Sequence, residues 1–476
     1  MFLLLPLLLL MHLILLVNTR FTLWPEMVTY PYLLNNGFLL YKDIINPYPP
    51  FFTSFLTIFA RIFDYHPLPY QILAWSLILT IDVTIYFVAK KIFGNNLRTK
   101  VSTAFFVFFS IPFGANSLWY DLVQTPFILL SLLYLYRFLS KPYLRFAFYS
   151  FFFLTIAFFV KQQIAWLVIW FLIVLLFKLG KGIKKLLGGT IYIILPFLLL
   201  LIFQLIVFWQ KGTAPDFIFW TLYFPFFQAS KLPGYILLPT LRQLLIVLSL
   251  VFFFLPIFVQ RKQVTNLIVA TGIILLLFAY PRFDYFHLVP MLSVLSLTVG
   301  SNIHSLKSFK NIRQLMTYQS LIIIASLLSF LILLVFSIRY FVNNWHQEVR
   351  FFERDIYQAA STLGSVTEEN EIIYIQNGPD QLLPLAKILP PKPWADEFPW
   401  YLEVTGVQER IVTGLQTQNP HYIIFKPYDQ GDNFYRTGVY RPQKIAEYLD
   451  IHYQNFIKIT DTLWLKIKKE EKLLDE

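Results

Sequence analysis

Cysteine is missing altogether from the 476 residues. That excludes disulfides, a thiolate metal site and a cysteine nucleophile. Charge is scarce as well. Asp, Glu, Lys and Arg make up 14% of the chain, against about 25% in a soluble globular protein. No Asn-X-Ser/Thr sequon occurs, and no repeat recurs along the chain. What fills the long gaps between charges is apolar: 57% of residues are hydrophobic, 51 of them Phe, and the mean hydropathy is +0.59. This composition predicts a polytopic α-helical membrane protein. The net charge of +12 does not call for nucleic acid, and no nucleic-acid partner is expected. Much of that charge sits in short loops between apolar runs, where basic residues fix orientation.

A bilayer core takes about 17–25 apolar residues per helix. Runs of that kind lie at 1–18, 70–89, 101–119, 122–139, 146–160, 163–178, 189–209, 239–259, 264–280, 287–301 and 319–341. About eleven transmembrane helices are therefore expected. The first 17 residues lack a basic leader and a small-residue cleavage site, so they read as an uncleaved first span. Residues 51–63 are apolar too, but they contain Arg61 and end at Asp64. They suit a half-buried helix along the outer interface.

Charge gives the orientation. With the N-terminus in the cytoplasm, the inner loops carry Lys90, Lys91, Arg98, Lys100, Arg137, Lys141, Arg145, Lys178, Lys181, Lys184, Lys185, Arg261, Lys262, Lys307, Lys310 and Arg313. The outer loops are longer in total yet hold only Arg20, Lys42, Arg61, Lys161, Lys211, Lys231 and Arg282. That bias follows the positive-inside rule, and an odd number of spans then leaves the C-terminal region outside. A multi-pass cell-membrane protein is the expected localisation. Within residues 1–341, Glu26, Asp43, Asp64, Asp121, Asp216 and Asp284 fall on or near the outer side, and only Asp82 lies inside a span. An ionisable group at that depth costs about 2.5–3.5 kcal/mol on insertion scales, so it needs a partner or a task.

Two domains are expected: a membrane module, 1–341, whose outer loop 19–69 is catalytic, and a small extracytoplasmic α/β domain, 342–476. In the latter, 371–376, 421–426 and 462–468 read as strands, and 347–364, 407–418 and 442–450 as helices. This part shows no Gly-rich phosphate loop and no metal-ligand spacing.

The candidate chemistry gathers in the outer turns. The polar island Arg20–Pro50 holds Glu26 just after Trp24-Pro25, and the pair Lys42-Asp43. Pro25 suits the first turn of a helix, and a partly desolvated carboxylate there is a candidate general base; the plain alternative is an interfacial surface acid. Asp121 sits in a tight turn, where it could equally cap the helix from Leu122. Lys161-Gln162-Gln163 is another tight turn, and Lys161 either meets an anionic ligand or snorkels into headgroups. Arg282, Asp284 and His287 share one short stretch, with Asp284 able to cap the next helix or tie down Arg282. Cations that meet a phosphate stabilise its charge as it leaves, and a carboxylate takes the proton from the attacking hydroxyl.

These residues resemble a known family. The chain looks like a bacterial integral-membrane glycosyltransferase of the C superfamily, near the protein O-mannosyltransferases and lipid A aminoarabinose transferases. The shared features are the acid after Trp-Pro, then Gly37, Tyr41 and Asp43, then Pro49-Pro50 and an aromatic helix, with Asp121, Lys161-Gln162 and the Arg282–His287 stretch further on. The resemblance covers roughly residues 1–341. It implies an inverting transfer of a sugar from a polyprenyl-phosphate donor to an extracytoplasmic acceptor, which could be lipid, glycan or protein. Glu26 takes the place of the family's first acid, the candidate base, and Asp121 joins it as a catalytic candidate that positions Glu26 or the sugar. Lys42, Asp43, Lys161, Gln162, Arg282, Asp284 and His287 are expected to bind substrate. A divalent metal ion is compatible, with His287 and a carboxylate as its ligands, but where the family often has Asp-Glu this chain has Glu26-Met27. Two other readings compete. A flippase or transporter of a lipid-linked or anionic solute would want charge at the midplane and broken helices. A polysaccharide polymerase or ligase would want one large outer loop late in the chain, whereas the largest here are 19–69 and 210–238.

Overall fold

The computed structural model describes residues 4–94, 97–179, 183–259, 263–306, 318–396, 398–428 and 440–469. Lys181, Arg261, Lys262, Lys307, Lys310 and Arg313, expected on the inner side, lie outside the described residues. The chain is mainly helical, and a helix coincides with each expected span among the described residues. Five of them are long and apolar enough to cross a membrane: Pro67–Phe93, Tyr120–Ser140, Gln162–Leu179, Ile193–Gln210 and Ile324–Asn344. Others, such as Leu4–Asn18 and Leu144–Val160, are shorter. The run expected at 101–119 stops being α-helical at Phe109. Pro112 and Gly114 lie just beyond, in a 3-10 turn and a left-handed residue with φ of +78°, both of which break an α-helix.

The chain forms two compact units. The first comprises Met1–Thr22, Tyr70–Gln204 and Leu238–Gln347. Its helices approach through small residues, which let backbones come close in an apolar medium. The buried Ser131 and Ser150 hydroxyls each donate to the other's carbonyl, at 2.7 and 3.0 Å. Ser102 donates to the Leu297 carbonyl at 3.0 Å, and Ser326 to that of Phe253 at 2.9 Å. Asp82, the acid at depth, finds its partner here. Its Oδ2 lies 2.6 Å from His12 Nδ1, and His12 Nε2 lies 3.1 Å from Ser110 Oγ. All three residues are fully buried, so one polar tie joins two helices and the turn that follows a third.

The second unit comprises Leu23–Pro69, Leu205–Leu237 and Glu348–Glu476. Its sheet has strands β1 (Ile373–Gln376), β2 (Tyr422–Phe425), β3 (Tyr453–Lys458) and β4 (Trp464–Lys468), in the order β1-β2-β4-β3. β1 and β2 run parallel with Ile373 opposite Tyr422, while β4 runs antiparallel to both of its neighbours. The parallel pair needs a long crossover, and the helix Val407–Gln418 lies within it. β1, β2 and β4 match the strands read from sequence. β3 does not, because it is an edge strand with residues 454–456 exposed, which leaves no apolar alternation to read. The helix expected over 347–364 begins only at Arg354. Before it, Phe351 takes φ of +72° and packs against Trp24, with ring centroids 5.2 Å apart.

Residues 23–69 pack within this unit. The Trp394 N–H donates to the Asp43 carbonyl at 2.8 Å, and the Ile45 N–H to that of Trp394 at 3.0 Å. The Tyr41 ring is buried against Phe208 and Phe217. The helix Pro50–Phe63 buries Phe52, Thr53, Leu56 and Ala60 and leaves Phe51, Phe55, Ile58 and Ile62 exposed. The helix is thus covered along one face and apolar along the other.

Candidate active site

The first unit builds a charged cluster from three separate turns. The loop ahead of Asp121 is pinned by Asn116. Its Nδ2 donates to the carbonyls of Leu16 and Thr19 at 3.1 and 3.0 Å, and its Oδ1 accepts from Trp75 Nε1 at 3.0 Å. This loop meets the turn that carries His287 at Gly114. A Cβ on Gly114 would stand 2.9 Å from Phe286 Cβ, so both the contact and the positive φ call for glycine.

Asp121 then falls in the first turn of the helix Tyr120–Ser140, where the helix dipole favours a carboxylate. It does not cap that helix. The cap position is Trp119, which makes no side-chain cap bond. Asp121 Oδ2 instead lies 2.6 Å from Lys161 Nζ and 2.8 Å from His287 Nδ1. Lys161 Nζ and His287 Nδ1 are 3.2 Å apart. The other carboxylate oxygen accepts from Gln124 Nε2 at 3.0 Å. Lys161 is the extended residue between the helix Leu144–Val160 and a 3-10 turn. Its side chain is only 3% exposed, so it is buried and paired and does not snorkel. The turn is held to its neighbour by Gln163, whose Nε2 donates to the Tyr280 carbonyl at 3.0 Å.

His287 lies in the 3-10 turn Tyr285–Leu288, ahead of the helix Val289–Leu306. Asp284 occupies the cap position of that turn without a side-chain cap bond. The His287 side chain keeps 11% exposure, and its Nε2 has no hydrogen-bond partner among the described residues. The cluster thus sets one carboxylate against one ammonium and turns an imidazole edge outward. Gln162 is buried beside it in sequence, and Arg282 and Asp284 are half-buried.

Glu26, Lys42 and Asp43 belong to the second unit. Glu26 opens the helix Glu26–Asn35 directly after Pro25, and it is buried, not a surface acid. That helix is fixed by Tyr30, whose hydroxyl donates to Asp396 Oδ2 at 2.6 Å, and by Thr29, which donates to the Asp380 carbonyl at 3.3 Å. Asp43 accepts from the Leu39 N–H at 2.9 Å and lies 3.3 Å from Lys392 Nζ. Lys42 is exposed, and its carbonyl accepts from Arg410 at 3.1 Å.

Two contributors escaped the sequence reading. Gln124 lies three residues after Asp121, a spacing that puts both on one helix face. His12 is the one ionisable residue in the first span, and it could have been matched with Asp82 on that ground. A metal does not fit the cluster. No three His, Asp or Glu side chains converge among the described residues, and the Lys161 ammonium already holds the carboxylate oxygen that a cation would take.

No family model matches the chain, and no curated protein matches it in sequence. Solved structures do. ArnT from Cupriavidus metallidurans, bound to undecaprenyl phosphate, is 10% identical and superposes with a TM-score of 0.57 over 98% of both chains. The same protein in the apo state is 11% identical, with a TM-score of 0.57 over 98% of this chain and 97% of that one. The chain therefore shares its fold with ArnT along nearly its whole length. The Archaeoglobus fulgidus oligosaccharyltransferase, solved with zinc and sulfate, agrees at a TM-score of 0.50 and 10% identity, over 89% of this chain and 68% of its own. At these identities the likeness concerns the fold, so the chemistry has to be argued from this chain's own residues.

Proposed function

We propose that the chain is an inverting membrane glycosyltransferase, moving a sugar from a polyprenyl-phosphate donor to an acceptor hydroxyl outside the cytoplasm. The observation that carries this reading is the fold shared along 98% of the chain with a protein solved on undecaprenyl phosphate. The buried Lys161–Asp121–His287 cluster supports it, because it supplies what a lipid phosphate needs. Asp121 accepts from the Lys161 ammonium at 2.6 Å, and the His287 side chain keeps an exposed edge. Asp121 holds Lys161 and His287 in place, while Lys161, the His287 edge and Arg282 receive the phosphate, with Gln162 and Asp284 completing that set of turns.

In the reaction the acceptor oxygen bonds to the sugar C1 on the face opposite the phosphate. The C1–O bond to phosphate breaks, and its electron pair leaves on the phosphate oxygen, where the cations stabilise it. The hydroxyl proton passes to Glu26, whose burial behind Pro25 keeps a carboxylate away from bulk water. No step runs through a metal. Lys42 and Asp43 carry the donor or acceptor only indirectly, by fixing residues 37–45 against 392–410. The basic-residue bias puts the N-terminus in the cytoplasm and residues 342–476 outside.

A carrier would draw its support from His12 and Asp82, the ionisable pair at depth. Both are fully buried and bonded to each other, which suits a structural tie. The test is release of labelled sugar from polyprenyl-phosphate donors by the purified protein, with and without EDTA. Release that Glu26→Ala abolishes while donor still binds supports the reading. Normal turnover by Glu26→Ala removes the base assignment, and EDTA sensitivity would bring a metal back.

A further inference from the structure

The carboxyl ends of β1 and β2 open into a cleft of about 220 Å³. It lies wholly within the second unit, apart from the Asp121 cluster. Pro379 and Gln381 follow β1, and Lys426 follows β2. Thr460 and Thr462 come from the turn between β3 and β4. That turn stands at the same edge because Phe425, the last residue of β2, pairs with Trp464, the first of β4. Glu353 and Asp355 close the cleft from the start of the helix Arg354–Val366. In open sheets with parallel strands this edge, outside the carboxyl ends, is where ligands bind.

The lining states what the ligand is. Two carboxylates, one ammonium, two hydroxyls and an amide face a small space. Carboxylates and an ammonium share this lining with hydroxyls and an amide, so a neutral group rich in hydroxyls finds both acceptors and donors. Gln381 adds a second observation. It is 2% exposed, its Nε2 donates to the Phe351 carbonyl, and its Oε1 is buried with no hydrogen-bond partner among the described residues. A buried acceptor left in that state is costly, and a bound donor would relieve it. The volume is below the roughly 300–1,000 Å³ of sites for drug-sized ligands, which suits a single ring.

We propose that this cleft is a subsite for one sugar ring of the acceptor, which makes the acceptor a glycan. The word acceptor rests on the glycosyltransferase reading; saccharide binding does not. The test uses the full chain in lipid nanodiscs, with saturation-transfer NMR on a panel of free hexoses, pentoses and N-acetylhexosamines. Signal is expected from at least one sugar. It should fall about tenfold in Asp355→Asn, and again in Thr462→Val, the loss that goes with one hydrogen bond to a charged group or its neighbour. Undecaprenyl-phosphate binding and the melting temperature should stay at wild-type values in both. In turnover, the same variants should raise the acceptor KM about tenfold at unchanged kcat. Absence of signal across the panel, or signal that neither variant weakens, overturns the proposal. Sugar binding lost in the variants while no donor is ever consumed keeps the subsite and removes the transferase. Transfer with an acceptor KM that the variants do not move keeps the transferase and removes the subsite.

Discussion

Asp82 and Asp121 are both buried carboxylates of the first unit, and both meet a histidine, yet they are built for different ends. Asp82 sits mid-helix, with His12 and Ser110 the polar groups described around it, and the three are sealed at zero exposure. Asp121 sits in the first turn of its helix, where three turns converge, and shares one oxygen between an ammonium and an imidazole that still reaches the surface. The first arrangement ties helices together through Asp82 Oδ2 alone, with Oδ1 buried and unpartnered among the described residues. The second leaves an edge of His287 open to the surface. Burial of an acid is therefore a weak guide to function by itself; whether its histidine partner still reaches the surface is a better one.

The largest separation between the two should come from removing the cation. Lys161→Ala leaves Asp121 buried beside a single histidine, and breaking a buried pair in this way costs about 3–5 kcal/mol. In the protein that still folds, the proposed transfer should drop by about a hundredfold or more, as when a charge-stabilising donor is lost. Chemical denaturation and donor turnover on the same preparation check both parts. His12→Ala should show the opposite split. Stability should fall by about 1–3 kcal/mol, because the Asp82 carboxylate loses its partner, while kcat per folded molecule stays within a factor of about two. A large fall in kcat there would merge the two clusters into one function.

Gly114→Ala comes next. The positive φ alone costs about 1–2 kcal/mol, and the new Cβ presses on the turn that carries His287. Turnover should fall several-fold, with donor KM rising, and a silent variant would mean that this turn is not held from the Gly114 side. Ser131→Ala should be the smallest effect, about 1 kcal/mol of stability with no kinetic change, because its bonds run only between two helices.

Much of this was legible in the sequence. Apolar runs of bilayer length marked where the helices lie, and isolated polar residues in tight turns marked Asp121, Lys161 and His287. What could not be read was convergence. Asp121, Lys161 and His287 are separated by 40 and 126 residues, and nothing local says that their turns meet. The same holds for the His12–Asp82 tie, 70 residues apart. Local alternatives also looked equal before the structure separated them: Asp121 as a cap, Lys161 as a snorkelling side chain. β3 was missed because an exposed edge strand has no core face to pattern. The Phe351 turn was missed because its conformation follows from Trp24, more than 300 residues earlier.

The most direct test of the central claim is turnover of a polyprenyl-phosphate donor. Purified protein in nanodiscs is mixed with radiolabelled polyprenyl-phosphate sugars and a membrane extract as the source of acceptor. The account expects sugar to leave the donor and enter an extract component, to stop in Glu26→Ala with donor binding retained, and to fall in Lys161→Ala. A protein that neither binds nor consumes any of these donors would contradict it.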